Sequence, residues 1–236
     1  MHVLALDLAG HGHSGHRSPG KPYNIWDDIG EIFAVADQMG WETFTLLGHS
    51  RGAAMCTLSA GTFPDRIRAC MLVDGLVPLM EPASEAPKQL ALSILEVKAQ
   101  ETKTLRVFES LDSATKARRG GHFRLSLEAA RLLTERGTKA VEGGFSWSTD
   151  NRLMAASAFK LSMEHIQAFM QNVSAPVKMI LADNKSSMIA PHMDRFEKMF
   201  PTLSVEKVIG THHLHMEEQR VEVAKLFNQH LDDTGG

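Results

Sequence analysis

Residues 2–8 are almost continuously apolar, the pattern of a strand covered on both faces of a sheet. They predict a first strand there. The run Ala9-Gly10-His11-Gly12-His13-Ser14-Gly15 and the following Ser18-Pro19-Gly20 predict a loop. Between residues 24 and 39, Ile25, Trp26, Ile29, Ile32, Phe33 and Val35 recur at helical spacing, and Gly40 stands where such a helix stops. A short apolar strand at 43–47 runs into a helix at 51–62 that is rich in small residues. Pro64-Asp65 breaks that helix, and a strand at 67–73 ends on Asp74-Gly75. Strand, helix, strand, helix, strand predicts an α/β chain with a doubly wound, mostly parallel sheet.

The pattern then changes. From 78 to 171 it is mainly helical, with helices expected at 90–97, 102–111, 125–136 and 151–171. Strands return at 177–181 and 204–209, and an amphipathic helix at 217–231 follows. The expected organisation is a core of residues 1–77 and 172–236, with residues 78–171 inserted in it as a helical lid.

Candidate chemistry sits between the second strand and the second helix, in Gly48-His49-Ser50-Arg51-Gly52. Gly-x-Ser-x-Gly on a strand-to-helix turn exposes the serine oxygen above a sheet. Glycines at 48 and 52 are expected because larger side chains would collide there. The helix N-terminus directs free N–H groups toward a reacting carbonyl, which makes the backbone N–H of Arg51 the expected oxyanion donor. A serine that merely caps the helix is the plain alternative.

A serine hydroxyl needs a base, and the base needs an acid to orient it. With a nucleophile of this type the partners follow in the order serine, acid, histidine. That order directs attention to Gly210-Thr211-His212-His213-Leu214-His215-Met216, beyond the last strand. His212 comes first after the glycine and is the expected base, with His215 and His213 as alternatives. Two acids compete: Asp74, at the end of the strand after the nucleophile helix, and Asp183, after the strand at 177–181. Asp74 has an alternative reading as a strand-end cap. The clustered histidines also raise metal binding, but no carboxylate or cysteine set with metal spacing accompanies them, so no metal or cofactor is expected. His11, His13 and His16 are read as part of a solvated glycine-rich loop.

Composition narrows the function classes. The 236 residues are 43% hydrophobic and 22% charged, with net charge −3. Nothing in that balance favours nucleic acid or an anionic membrane. The N-terminus has no signal-peptide pattern, and no apolar run approaches the ~18 residues needed to span a bilayer. Cys56 and Cys70 both fall in buried segments, which favours a reducing compartment. A cytoplasmic location is expected.

Taken together, Asp7-Leu8-Ala9-Gly10-His11-Gly12-His13-Ser14, Ser18-Pro19-Gly20-Lys21-Pro22-Tyr23, Leu47-Gly48-His49-Ser50-Arg51-Gly52, Leu133-Thr134-Glu135-Arg136-Gly137-Thr138-Lys139 and the histidine-rich tail motif resemble serine hydrolase-like proteins of the α/β-hydrolase superfamily. The resemblance covers most of the chain. It implies an α/β-hydrolase fold and a serine hydrolase without a cofactor. The family serine maps to Ser50 and the late histidine to His212. Lys185 stands where the superfamily usually keeps its late acid, which tilts the choice toward Asp74. Arg51 occupies a position more often bulky and apolar, and Ala53 one that is often glycine.

The superfamily also begins with three strands ahead of the one expected at 2–8, and carries a His-Gly motif supplying a second oxyanion donor. This chain has neither, so it is expected to be a fragment, or to have an alternative or mispredicted start, and to be weakly active or inactive. Loss of one donor costs ~10²–10³ in rate. The expected activity is cleavage of a carboxylic ester of a small or medium acyl substrate. Hydrolysis of C–C or amide bonds, and a catalytically impaired binding protein on the same fold, are the alternatives.

Overall fold

The alternation read between residues 43 and 73 produces parallel pairing. The computed structural model describes residues 2–121, 123–183 and 189–235. In chain order the elements are α1 (Ile25–Gln38), β1 (Phe44–His49), α2 (Arg51–Thr62), β2 (Ile67–Val73), α3 (Ala86–Glu101), α4 (Leu111–Arg119), α5 (Leu127–Gly137), β3 (Thr138–Val141), β4 (Gly144–Trp147), α6 (Met163–Asn172), β5 (Val177–Asp183), α7 (Met193–Met199), β6 (Leu203–Ile209) and α8 (Arg220–Asp233). Contacts divide the chain into two compact units, Met1–Glu31 with Ser84–Phe159, and Ile32–Ala83 with Lys160–Gly236. These cuts differ from the expected lid boundaries. Residues 1–31 group with 84–159, and α6 belongs with the sheet.

The unit of 32–83 and 160–236 holds a four-stranded sheet in the order β1-β2-β5-β6, every pair parallel. Parallel strands bring all their carboxyl ends to one edge. The chain therefore leaves β1 at Ser50, β2 at Asp74 and β6 at Gly210 on the same side. His49 lies opposite Val73 in the ladder, so Ser50 and Asp74 emerge side by side. β2 and β5 are central and mostly buried, as the apolar runs Ala69–Val73 and Met179–Ala182 require. Helix α2 can lie close to its neighbours because its residues are small. Gly61 meets the backbone of Phe169 in α6, and the Asn172 side-chain amide donates to the Gly61 carbonyl at 2.7 Å. Beneath the carboxyl edge, Val73, Ile180, Val208, Leu214, Val223 and Phe227 form one apolar cluster.

The expected strand at 2–8 does not form. Its pattern suits a buried strand, but a strand also needs a ladder partner and a face to pack on. Val3 and Leu4 are instead exposed.

In the unit of 1–31 and 84–159, two further expectations are corrected. The helix expected at 102–111 is absent. Thr104 to Phe108, rich in β-branched and aromatic residues, runs without helix, and Phe108 bridges Phe145. A helix starts only at Leu111, capped by Ser110, whose hydroxyl accepts from the Ser113 N–H at 3.2 Å. The lid was also expected to be mainly helical with few strand signals, yet β3 and β4 pair antiparallel around Gly143, which has φ +82°. Phe108 stacks edge-on with Trp147 at 5.6 Å, so these aromatics pack within their own unit. Between 151 and 171 a single 3₁₀ turn (Asn151–Met154) replaces the first half of the predicted helix, and the α-helix begins at Met163.

Arg152 organises this unit through hydrogen bonds that its sequence position does not reveal. Its guanidinium donates to the Asp150 carboxylate (3.1 and 2.8 Å) and to the carbonyls of Arg17 (2.5 Å), Ser18 (2.7 Å) and Lys21 (3.2 Å). Tyr23 donates its hydroxyl to Asp150 at 2.8 Å, and the His16 ring donates to the Ser148 carbonyl at 3.0 Å. Burial raises the Asp150 pKa, but the bonds from Arg152 and Tyr23 outweigh it and hold the carboxyl down at about 2. A carboxylate with a depressed folded pKa stabilises above its unfolded value, and that stability is lost as pH falls toward 2. Arg152→Met, which strands the Asp150 charge in a site about nine-tenths buried, should cost about 3 kcal/mol, a fall in Tm of roughly 10 °C. Arg131→Met, which removes only the exposed pair with Glu135, should cost under about 0.5 kcal/mol. Paired thermal melts check both.

Candidate active site

Strand β1 ends directly on Ser50, and α2 begins at Arg51. Ser50 has φ 54° and ψ −115°, a conformation that costs a non-glycine residue about 1–3 kcal/mol. The surroundings enforce it. The Ser50 N–H donates to the Val73 carbonyl at 2.9 Å, and the Ser50 carbonyl accepts from Ala54 at 3.2 Å. A Cβ on Gly48 would strike the Gly52 carbonyl and the Ala53 nitrogen, and one on Gly75 would strike the Ser50 backbone. A Cβ on Gly52, by contrast, would meet nothing within 4 Å. Crowding at this turn therefore falls on Gly48 and Gly75, not on Gly48 and Gly52. Gly48→Ala should lose about 1–3 kcal/mol by chemical denaturation, while Gly52→Ala should fold as well as the parent.

Asp74 follows β2 and is 7% exposed, with φ 41°. Its N–H donates to the Ile180 carbonyl at 2.8 Å, which holds it at the sheet edge. One carboxylate oxygen accepts from the Ala182 N–H at 3.0 Å. The other lies 2.6 Å from His212 Nδ1. A carboxylate offers only acceptors, so His212 Nδ1 carries the proton. In the neutral ring Nε2 then keeps its lone pair. Asp183, the competing acid, closes β5, is exposed, and stands opposite Ile209 in the ladder. Lys185 lies outside the described residues.

His212 is placed by its neighbours. Leu214, fully buried, anchors the segment into the apolar cluster, and the Leu214 N–H donates to the Thr211 carbonyl at 3.0 Å. His213 and His215, the alternative bases, face His49. Their ring centroids lie 4.9 and 4.3 Å from that ring.

His49 is the residue that sequence reasoning passed over. Its Nε2 lies 2.8 Å from the His212 carbonyl, an acceptor only, so Nε2–H donates and ties the histidine segment to the elbow. Burial, and next the neighbouring His215, push the His49 pKa down to about 3. Burial and His212 also lower that of His215. The signal available in the sequence was only that His49 adjoins Ser50.

Residues 1–95 match the α/β-hydrolase fold family. The chain is 29% identical over 256 aligned residues to serine hydrolase-like protein 2 from Homo sapiens, covering 99% of this chain and 79% of that protein. It is 38% identical to the crystal structure of a hypothetical protein from Pseudomonas aeruginosa PAO1, covering 95% of this chain and 80% of that one, with a TM-score of 0.89. The chain belongs to the α/β-hydrolase superfamily. The same α/β-hydrolase fold occurs in the thioesterase domain from the curacin biosynthetic pathway, at 22% identity and a TM-score of 0.79 over 93% of this chain and 79% of that one. The family resemblance read from the motifs therefore holds, and so does the α/β-hydrolase fold class. Among the described residues, no helix of this α/β hydrolase is long and apolar enough to cross a membrane.

Proposed function

We propose that this chain is a serine hydrolase that cleaves a carboxylic ester, or a closely related acyl bond, of a small or medium substrate through an acyl-enzyme. The observation that carries the reading is the 2.6 Å contact between His212 Nδ1 and Asp74, beside a serine held at positive φ. Ser50 Oγ attacks the acyl carbon and its proton passes to His212 Nε2. Asp74 keeps the ring in the tautomer that accepts that proton, and stabilises the imidazolium once formed. His212 then protonates the leaving alkoxide. A water molecule attacks the acyl-enzyme with His212 again as base, which returns Ser50 to its free form. The backbone N–H of Arg51, at the first position of α2, donates to the oxyanion. Esterase and thioesterase folds among the structural neighbours support an acyl bond as the target. The buried thiols of Cys56 and Cys70 are free, which favours a cytoplasmic setting.

A fluorophosphonate probe followed by peptide mass spectrometry tests the reading. Covalent labelling at Ser50, together with weak p-nitrophenyl acetate turnover that Ser50→Ala abolishes, is the expected result. A folded sample that takes up no label would overturn it, and would favour a ligand-binding role for the same fold.

A further inference from the structure

We infer that His49, His213 and His215 form a binding site for one transition-metal ion of the Zn²⁺ or Co²⁺ class, separate from the His212–Asp74 pair. One ring nitrogen from each of the three lies within 4.8 Å of the others. A tetrahedral ion with Zn–N bonds of about 2.0–2.1 Å holds its donors about 3.4 Å apart, so modest side-chain rotation closes the set. Two donors lie four and six residues beyond β6, and the third comes from the end of β1. That 164-residue gap is why the ligand set is not visible as a sequence motif.

Protonation and hydrogen bonding favour metal over simple ring packing. His49 Nε2–H is committed to the His212 carbonyl, so His49 Nδ1 carries the lone pair. A ring N–H donated to a backbone carbonyl is the usual support of a metal-bound histidine. His215 Nδ1 is buried and makes no hydrogen bond among the described residues. A buried polar atom in that condition is destabilising, and a bound cation would satisfy it. Three imidazoles suit Zn²⁺, Co²⁺, Ni²⁺ or Cu²⁺ and do not suit Mg²⁺ or Ca²⁺, which take oxygen donors. With three protein ligands, a fourth position stays open.

The inference does not depend on the proposed catalytic roles, and its test reads binding directly. Metal-stripped protein is titrated with ZnCl₂ and CoCl₂ by calorimetry, and the Co²⁺ form is examined for the visible absorption of a four-coordinate site. One ion per chain is expected. His49→Gln and His215→Gln should each weaken binding by about tenfold or more, whereas His212→Gln should bind as the parent does. Circular dichroism verifies folding. If His49→Gln fails to fold, X-ray absorption on the Zn²⁺-loaded parent decides, with three imidazole ligands expected. Absence of stoichiometric binding, binding unchanged in His215→Gln, binding abolished in His212→Gln, or fewer than three imidazoles around the ion would each overturn the site.

Discussion

Replacing Ser50 with alanine is expected to lower kcat on p-nitrophenyl acetate by about 10⁴-fold or more, without changing the melting profile. The change removes one oxygen and keeps the Cβ, so the elbow's backbone strain is the same in both proteins. The bonds that hold the turn come from the main chain, through Val73 and Ala54, and survive the substitution. Activity and stability should therefore separate cleanly. Without the hydroxyl there is no acyl-enzyme, and only substrate binding and the Arg51 N–H remain to favour hydrolysis over water. Burst kinetics with the parent and their absence in Ser50→Ala would complete the case. A variant that keeps more than a tenth of the parental rate would remove Ser50 from the mechanism.

Asp74→Asn should cost about 10⁴-fold in kcat, the loss seen when a serine protease suffers the same change. The reason lies in the count of donors around the carboxylate. His212 Nδ1–H and the Ala182 N–H both donate to it, one to each oxygen. An asparagine has one acceptor oxygen and one NH₂ group, so it cannot satisfy both. If its oxygen stays with Ala182, its NH₂ faces His212 Nδ1 and forces the proton onto Nε2. That is the wrong tautomer for taking a proton from Ser50. Asp183→Asn serves as the control and should stay within about twofold of the parent, since Asp183 is exposed at the end of β5. Equal losses at the two positions would return the choice of acid to open ground.

Much of this site was legible in the chain itself. The β1-to-α2 turn announces itself through an apolar strand, two glycines and a run of small residues. β2 lies where its pattern placed it, at Ile67–Val73. The rule that a serine needs a base and an acid pointed to His212 and left Asp74 and Asp183 in competition; the family resemblance tilted the choice to Asp74, and the 2.6 Å contact with His212 supports it. Other features depend on tertiary partners that pattern does not encode. Residues 2–8 read as a strand because of their apolar run, but β1 takes β2 as its ladder partner and no strand forms at 2–8. The segment 104–108 read as helix, but Phe108 is committed to Phe145. Arg152 gave no signal, since its value lies in carbonyls more than 130 residues away in sequence. Gly52 looked indispensable within the motif, but in the fold it is Gly75, outside the motif, that takes the crowding.

The neighbouring positions of Ser50 and Asp74 carry a consequence for how activity is lost. Ser50 and Asp74, the proposed nucleophile and acid, are 24 residues apart and are held in mutual register by the β1–β2 ladder. His212, the proposed base, arrives 138 residues after Asp74, on a segment secured by Leu214 and by the carbonyl bond to His49. Short-range assembly is entropically cheap and robust, whereas the late segment depends on closing a long loop. Heat or mild denaturant should therefore silence the enzyme by undocking this late segment while the ladder stays intact. Turnover would then fall before the circular dichroism signal does, and cooling should restore it.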